Sequence, residues 1–285
     1  MSRPPDWLKK RLIFSEEIFR TKETLQELSV LTVCESSLCP NLNECFSKAH
    51  ATFLILGTSC TRSCGFCSVG KGLPQAPDPD EPRRIAEAVR RFGSRFVVVT
   101  SVTRDDLADG GAGQFVKVIE AIRRVSGDIR LEVLVPDFNG NEGAMCEVLS
   151  AHPDVFAHNI ETVQRLYPLA RSGSSYTVSL QLLKKAKGFG LKVVTKSSIM
   201  VGLGETDKEV FDTILDLHRH GCEILTIGQY LRPKAANLPV ERFVTPGQFD
   251  EYRKFAHSLG FKHVCAGAFV RSSYYAEEMF ESCKL

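Results

Sequence analysis

Six short apolar runs recur after residue 50: TFLIL (52–56), RFVVVTSV (95–102), IRLEVLVP (129–136), VFAHNIE (155–161), LKVVTKSSIM (191–200) and EILTIGQYL (223–231). Strands covered on both faces read as such near-continuous runs. Between them lie segments with helical period, for example EPRRIAEAVRRFG (81–93) and DKEVFDTILDLHRHG (207–221). In the second, Val210, Ile214, Leu215 and Leu217 mark one face, and Gly221 suits a C-terminal stop. Strands alternating with helices predict an α/β fold with a parallel sheet. Six such units predict a curled, partial (β/α)6 TIM-type barrel over 51–231. Residues 1–50 are a polar extension with a helix near 14–29. Residues 232–285 are a second extension with a helix at 246–259. In such barrels reactive groups gather on loops past the C-terminal strand ends. Cys60, the 100–113 segment, 159–161, 196–198 and 229–232 are therefore expected at one mouth.

Composition adds little beyond an ordinary globular chain. Of 285 residues, 43% are hydrophobic and 25% charged, which suits one large domain. A net charge of +2 gives no reason to expect a nucleic-acid or membrane partner. No apolar run approaches the roughly 20 residues of a membrane helix. The start, MSRPPDWLKKRLIFSEEIF, reads as neither a secretory signal nor a transit peptide. A cytoplasmic location is expected.

The ten cysteines change the picture. They are too sparse for a disulfide scaffold, and clustered thiols in a reducing compartment point to metal or redox work. Cys146, Cys222, Cys265 and Cys283 are scattered and read as packing residues. The other six form two triplets, Cys34-x4-Cys39-x5-Cys45 and Cys60-x3-Cys64-x2-Cys67. A structural zinc is closed by four ligands, and the next histidine after the second triplet is His152. Three thiolates on an iron–sulfur cluster leave one iron open to substrate. The second triplet favours that reading, with Phe66 beside the cluster and able to contact a planar ligand.

Cys60-x3-Cys64-x2-Cys67 with Phe66 resembles the signature of the radical S-adenosylmethionine (SAM) superfamily, whose partial barrel matches the strand count. Taken with the first triplet, the chain resembles the lipoyl synthase family. ESSLCPNLNEC, ATFLILGTSCTRSCGFCSV, TSVTRDDLADGGAGQF, LEVLVPDFNG, HNIETV, TKSSIMVGLGET, LTIGQYL and VRSSY occur in that family's order. The resemblance implies two [4Fe–4S] clusters. One, on Cys60, Cys64 and Cys67, has its open iron chelated by SAM. The other is an auxiliary cluster on Cys34, Cys39, Cys45 and a serine of RSSY, taken as Ser273 before Ser272. A hard oxygen is a poorer partner for iron than thiolate, which suits a cluster that must come apart to give sulfide.

The implied reaction inserts sulfur at C6 and C8 of an octanoyl chain on a carrier lysine, with the auxiliary cluster as sulfur donor and two SAM consumed per lipoyl group. The C–H bonds are unactivated, so the cofactors carry the hard step. Cys60, Cys64, Cys67 and Ser273 are the implied catalytic set. Implied partners are octanoylated lipoyl domains of 2-oxoacid dehydrogenase E2 subunits, the glycine-cleavage H protein, a ferredoxin- or flavodoxin-type reductant and an iron–sulfur carrier protein. A monomer is expected.

Position suggests the SAM contacts. Thr100, Ser101 and Asp105 follow the second strand, though Asp105 and Asp106 read equally well as helix caps. Gly110 and Gly111 allow close backbone approach. Asn159 and Glu161 suit ribose or amino-group contacts. Lys196 is costly to bury alone and is expected on a carboxylate. Arg271 would move with the cluster or pair with a nearby Glu. Two departures from the family pattern stand out: Thr58-Ser59 where an acid is often found, and Tyr275 where His is common. The rivals are weaker. A tRNA methylthiotransferase needs an RNA-binding module, and biotin synthase would lack RSSY. A non-catalytic zinc or cluster carrier would bind no SAM.

Overall fold

A computed structural model of the chain describes residues 5–11, 13–190 and 192–283. Residue 191, where the fifth expected strand begins, and residues 1–4, 12 and 284–285 of the two extensions lie outside the described residues. The N-terminal segment forms α1 (Glu16–Glu27), α2 (Val33–Ser36) and α3 (Leu42–Phe46). Then come β1 (Thr52–Ile55) and two short strands, β2 (Ser59–Cys60) and β3 (Gly70–Lys71). The alternating part runs α4 (Glu81–Phe92), β4 (Phe96–Ser101), α5 (Ala112–Val125), β5 (Arg130–Leu134), α6 (Glu142–Ser150) and β6 (Val155–Ala157). It continues with α7 (Tyr167–Ala170), α8 (Tyr176–Gly188), β7 (Val194–Val201), α9 (Asp207–Arg219) and β8 (Ile224–Gln229). The chain ends with α10 (Pro246–Leu259), β9 (His263–Gly267) and α11 (Ala276–Glu281).

Local chemistry explains the boundaries. Thr206 caps α9 through Glu209 N–H, and the Glu209 carboxylate reaches back to the cap, a full capping box. Thr245 caps α10 behind Pro246. Gly93 ends α4 with φ +61°, a conformation that glycine adopts freely.

The main sheet has seven strands, in the order β1-β4-β5-β6-β7-β8-β9, and every pairing is parallel. The sequence had predicted six strands ending near 231. The seventh, β9, pairs with β8 because the α/β alternation continues through α10. The C-terminal segment is thus partly sheet. The fourth expected run is strand only over 155–157. Beyond it the backbone turns, and Glu161 rejoins β7 by a single parallel bridge to Ile199.

Alternation along the strands separates two faces. Phe53, Val97, Val99, Leu131 and Val133 pack under the helix layer. The other set stacks in two levels on the inner side. Leu54, Thr100, Leu134, Ser198 and Gly228 line a cavity near the C-terminal strand ends. Below them lie Val98 and Ile224, against which Ala276 and Met279 of α11 are packed. The C-terminal helix therefore stops the lower end. Each such apolar side chain contributes about 1.5–3 kcal/mol by burial. No described helix is long and apolar enough to cross a membrane.

Candidate active site

The cavity at the strand ends has a volume of about 460 Å3. Cys60, Cys64 and Cys67 all line it, as does Phe66. Cys60 ends β2, where two backbone N–H groups, of Arg62 and Thr103, donate to its Sγ at 3.4 Å each. The loop carrying the triplet is held on three sides. Arg62 is buried and donates to both oxygens of Asp105 (2.8 Å each) and of Asp137 (2.7 Å each). Asn237 donates to the carbonyls of Gly65 (3.1 Å) and Cys67 (2.9 Å). Gly65 leaves no room for a side chain, since a Cβ there would sit 2.9 Å from Leu238 Cγ. Burial works to raise the Asp137 carboxyl, but the Arg62 hydrogen bonds and charge prevail and hold it at about 2.

A second, smaller cavity of about 70 Å3 adjoins the first. Cys34, Cys39 and Cys45 line it with Thr52 and Ser273. Four side chains (Cys34, Cys39, Arg271 and Ser273) line both cavities. The two thiol triplets thus open on neighbouring spaces. Ser68 Oγ ties their loops together by donating to Ser36 O at 2.9 Å.

Burial pushes the thiols up: Cys34 and Cys64 to about 11, and Cys45 to about 12. Burial also raises Cys67. Such thiols are protonated at neutral pH and poor nucleophiles. They lose the proton only to something that brings positive charge, as iron does.

On the wall of the larger cavity a polar chain connects the C-terminal segment with the strand ends. Ser272 Oγ donates to Asn159 Oδ1 at 2.9 Å, and Asn159 Nδ2 donates to Glu161 Oε1 at 3.0 Å. Burial raises the Glu161 carboxyl against the opposing charge of Arg171. Glu161 holds a left-handed backbone, φ +68°, which is strained for a residue with a side chain. Arg171 donates to Asn159 O (2.8 Å) and lies 3.3 Å from His158 Nε2. Burial and the Arg171 charge lower His158 to about 3, so the ring is neutral.

Comparison with known proteins decides what this arrangement is. The radical SAM superfamily model matches residues 54–217. A lipoyl synthase from Caldicellulosiruptor saccharolyticus is 51% identical over 277 residues, 97% of this chain and 97% of that protein. One from Caldanaerobacter subterraneus is 52% identical over 275 residues, 96% of each. The chain belongs to the lipoyl synthase family. Among solved structures, Streptococcus suis SuiB bound to its precursor peptide aligns with a TM-score of 0.56 at 10% identity, over 87% of this chain and 52% of that one. Escherichia coli coproporphyrinogen III oxidase, a radical SAM enzyme, aligns at 0.53 and 14% identity, over 73% and 52%. These two likenesses concern the fold alone.

A lipoyl synthase is a radical SAM enzyme with SAM and [4Fe–4S] clusters as cofactors, and the residues present fit those groups. Among the described residues, no three His, Cys, Asp or Glu side chains converge as a single-ion site. A [4Fe–4S] cube takes each thiolate on a different iron, so its ligands need no common point. Ser101 Oγ, on the cavity wall, is buried without a hydrogen-bond partner. Burial works against the Arg271 charge, with Cys39 the opposing group, and the guanidinium donates to backbone carbonyls. Its Nη1 donates to Val270 O at 2.6 Å. Of the two expectations for Arg271, a Glu partner or a place beside the cluster, a guanidinium so placed suits the second.

Most of the residues singled out from the sequence line the two adjoining cavities: Phe66, Thr100, Ser101, Asn159, Glu161, Arg271, Ser273 and both triplets, with Cys45 on the smaller one only. Lys196 does not. It lies on the inner side one level below Ser198, fully buried, with Nζ 2.8 and 3.0 Å from the oxygens of Glu132. Its expected carboxylate belongs to the protein. The reason is the two-residue period: β7 runs on to Val201, so Lys196 sits mid-strand and not at the mouth. Asp105 also has a protein partner, Arg62, and Asp106 pairs with Arg104 at 2.7 Å. Sequence reasoning missed Arg62, Asp137, Arg171 and Asn237. The available signal was weak: these are single polar or charged residues, and the partners of Arg62, Asp137 and Asn237 lie 43 or more positions away.

Proposed function

We propose that this chain forms lipoyl groups by inserting sulfur at C6 and C8 of a protein-bound octanoyl-lysine. Cys60, Cys64 and Cys67 would hold the SAM-binding cluster, with SAM between Phe66, Thr100, Ser101, Asn159 and Glu161. Cys34, Cys39, Cys45 and Ser273 would hold the auxiliary cluster, which is the sulfur-donating substrate. When bound, SAM and its cluster supply the radical that removes hydrogen from an unactivated carbon. The chain's own residues fix the Cys60 loop through Arg62, shield the site under α2 and α3, and keep Arg271 between the two centres. The observation that carries this reading is that both triplets open on adjoining cavities sharing Cys34, Cys39, Arg271 and Ser273. Holding reactants in one walled space is what such chemistry needs.

Two SAM would be consumed per lipoyl group. The carriers would be octanoylated E2 lipoyl domains or the H protein, the electrons would come from a ferredoxin- or flavodoxin-type donor, and an iron–sulfur carrier would rebuild the cluster. Ten free thiols suit a reducing compartment such as the cytoplasm. The segments 1–50, 51–231 and 232–285 would act as the auxiliary-cluster arm, the barrel and the serine-bearing arm, in a monomer.

The test is anaerobic reconstitution followed by an assay on an octanoyl-lysine peptide with SAM and dithionite, read by mass. About eight irons per chain and a product carrying two added sulfurs, lost when Cys34 is replaced by alanine, are expected. SAM cleavage without sulfur gain would mean a different substrate. Bound zinc and no SAM cleavage would end the radical reading.

A further inference from the structure

Ser273 and Ser272 are neighbours whose hydroxyls are drawn in opposite directions. Ser272 donates to Asn159, at the SAM side of the cavity. Ser273 Oγ instead accepts a hydrogen bond of 2.8 Å from Thr52 Oγ1. Cys34, Thr52 and Ser273 line the same small cavity. Thr52 is buried and opens β1, where it pairs with Val98 of β4. The next residue, Phe53, is core. A β-branched side chain on a core strand has little rotamer freedom. Thr52 is therefore a fixed donor at the point where a cysteine from the N-terminal arm meets a serine from the C-terminal arm. Nothing else among the hydrogen bonds of the described residues holds Ser273 Oγ.

We propose that Thr52 is a positioning residue that aims the Ser273 oxygen at the first thiol triplet and so sets how firmly the auxiliary cluster keeps its oxygen-bound iron. The inference rests on the reading of Ser273 as an iron ligand. The arms are joined by other contacts, such as Asn41 Nδ2 to Phe269 O at 2.7 Å. Loss of the Thr52 hydroxyl would thus leave the segment in place and free only the serine side chain.

The test compares reconstituted full-length protein as the parent, Thr52→Val, Thr52→Ser and Ser273→Ala, without reductant. Thr52→Val keeps the shape and removes the hydroxyl; Thr52→Ser keeps the hydroxyl. Iron release to a chelator is followed by absorbance, and the three-iron cluster left behind is oxidised by one electron with ferricyanide and followed by electron paramagnetic resonance. The expected result is release of one iron roughly fivefold to tenfold faster in Thr52→Val, the size of one hydrogen bond, with a growing three-iron signal. Thr52→Ser should behave as the parent. If Thr52→Ser leaks as Thr52→Val does, packing and not the hydroxyl is responsible, and the proposal fails. If Ser273→Ala loses iron quickly but Thr52→Val does not, the proposal fails while the ligand assignment stands. If Ser273→Ala also keeps its iron, the ligand assignment fails with it.

Discussion

Lys196 illustrates how one residue position can mislead. Its carboxylate partner, Glu132, lies 64 positions away and one level beneath the cavity. Burial raises the Glu132 carboxyl, and the Lys196 charge opposes that. Removing one partner of such a pair leaves an uncompensated buried charge. Lys196→Met should therefore cost about 3–5 kcal/mol of stability, while SAM affinity in the protein that remains folded stays at the parent value. The double change Lys196→Met with Glu132→Leu should recover most of the loss. Chemical denaturation and SAM titration check this. A fall in SAM affinity with unchanged stability would make Lys196 a ligand contact after all.

At the scale of elements, α3 and the segment before α11 are clasped together. Glu44 precedes Cys45, and its carboxylate accepts from Tyr274 (2.7 Å), Tyr275 (2.8 Å) and Lys10 (2.7 Å). Burial works to raise this carboxyl, but the Lys10 and tyrosine hydrogen bonds prevail and hold it at about 2. Tyr275 is held at both ends: its hydroxyl reaches Glu44 and Lys48 Nζ lies 4.9 Å over its ring. Charge-assisted hydrogen bonds contribute about 1.5–3 kcal/mol each. Glu44→Gln should raise hydrogen exchange through residues 274–281 by about tenfold and leave α9 unchanged. Equal protection in both proteins would show that the arms are held elsewhere.

For the whole molecule, His158 links stability to acidity. Its folded pKa, about 3, lies below the ordinary 6.5. The unfolded chain therefore binds a proton that the folded chain refuses between those values. The contribution is fully present above pH 6.5 and is lost progressively as pH falls toward 3. His158→Gln should flatten the fall in denaturation midpoint between pH 7.5 and 5.5 relative to the parent. The comparison cancels the carboxylates, which are common to both proteins. A parallel fall in both would mean that His158 takes no part.

The repeating strand–helix pattern and the two cysteine triplets were readable from the sequence, because periodicity and ligand spacing are local properties of the chain. The helix at 246–259 and the β-rich runs lie within a few residues of where they were expected. What the chain could not reveal by itself was which side chains face one another. The seventh strand needed β8 as a partner to become a strand. The carboxylate of Lys196, the clamp of Arg62 by Asp105 and Asp137, and the hold of Thr52 on Ser273 join residues 64, 43, 75 and 221 positions apart. Such meetings depend on strand register and on the inner or outer face of each side chain, which are settled only when the sheet closes on its helices.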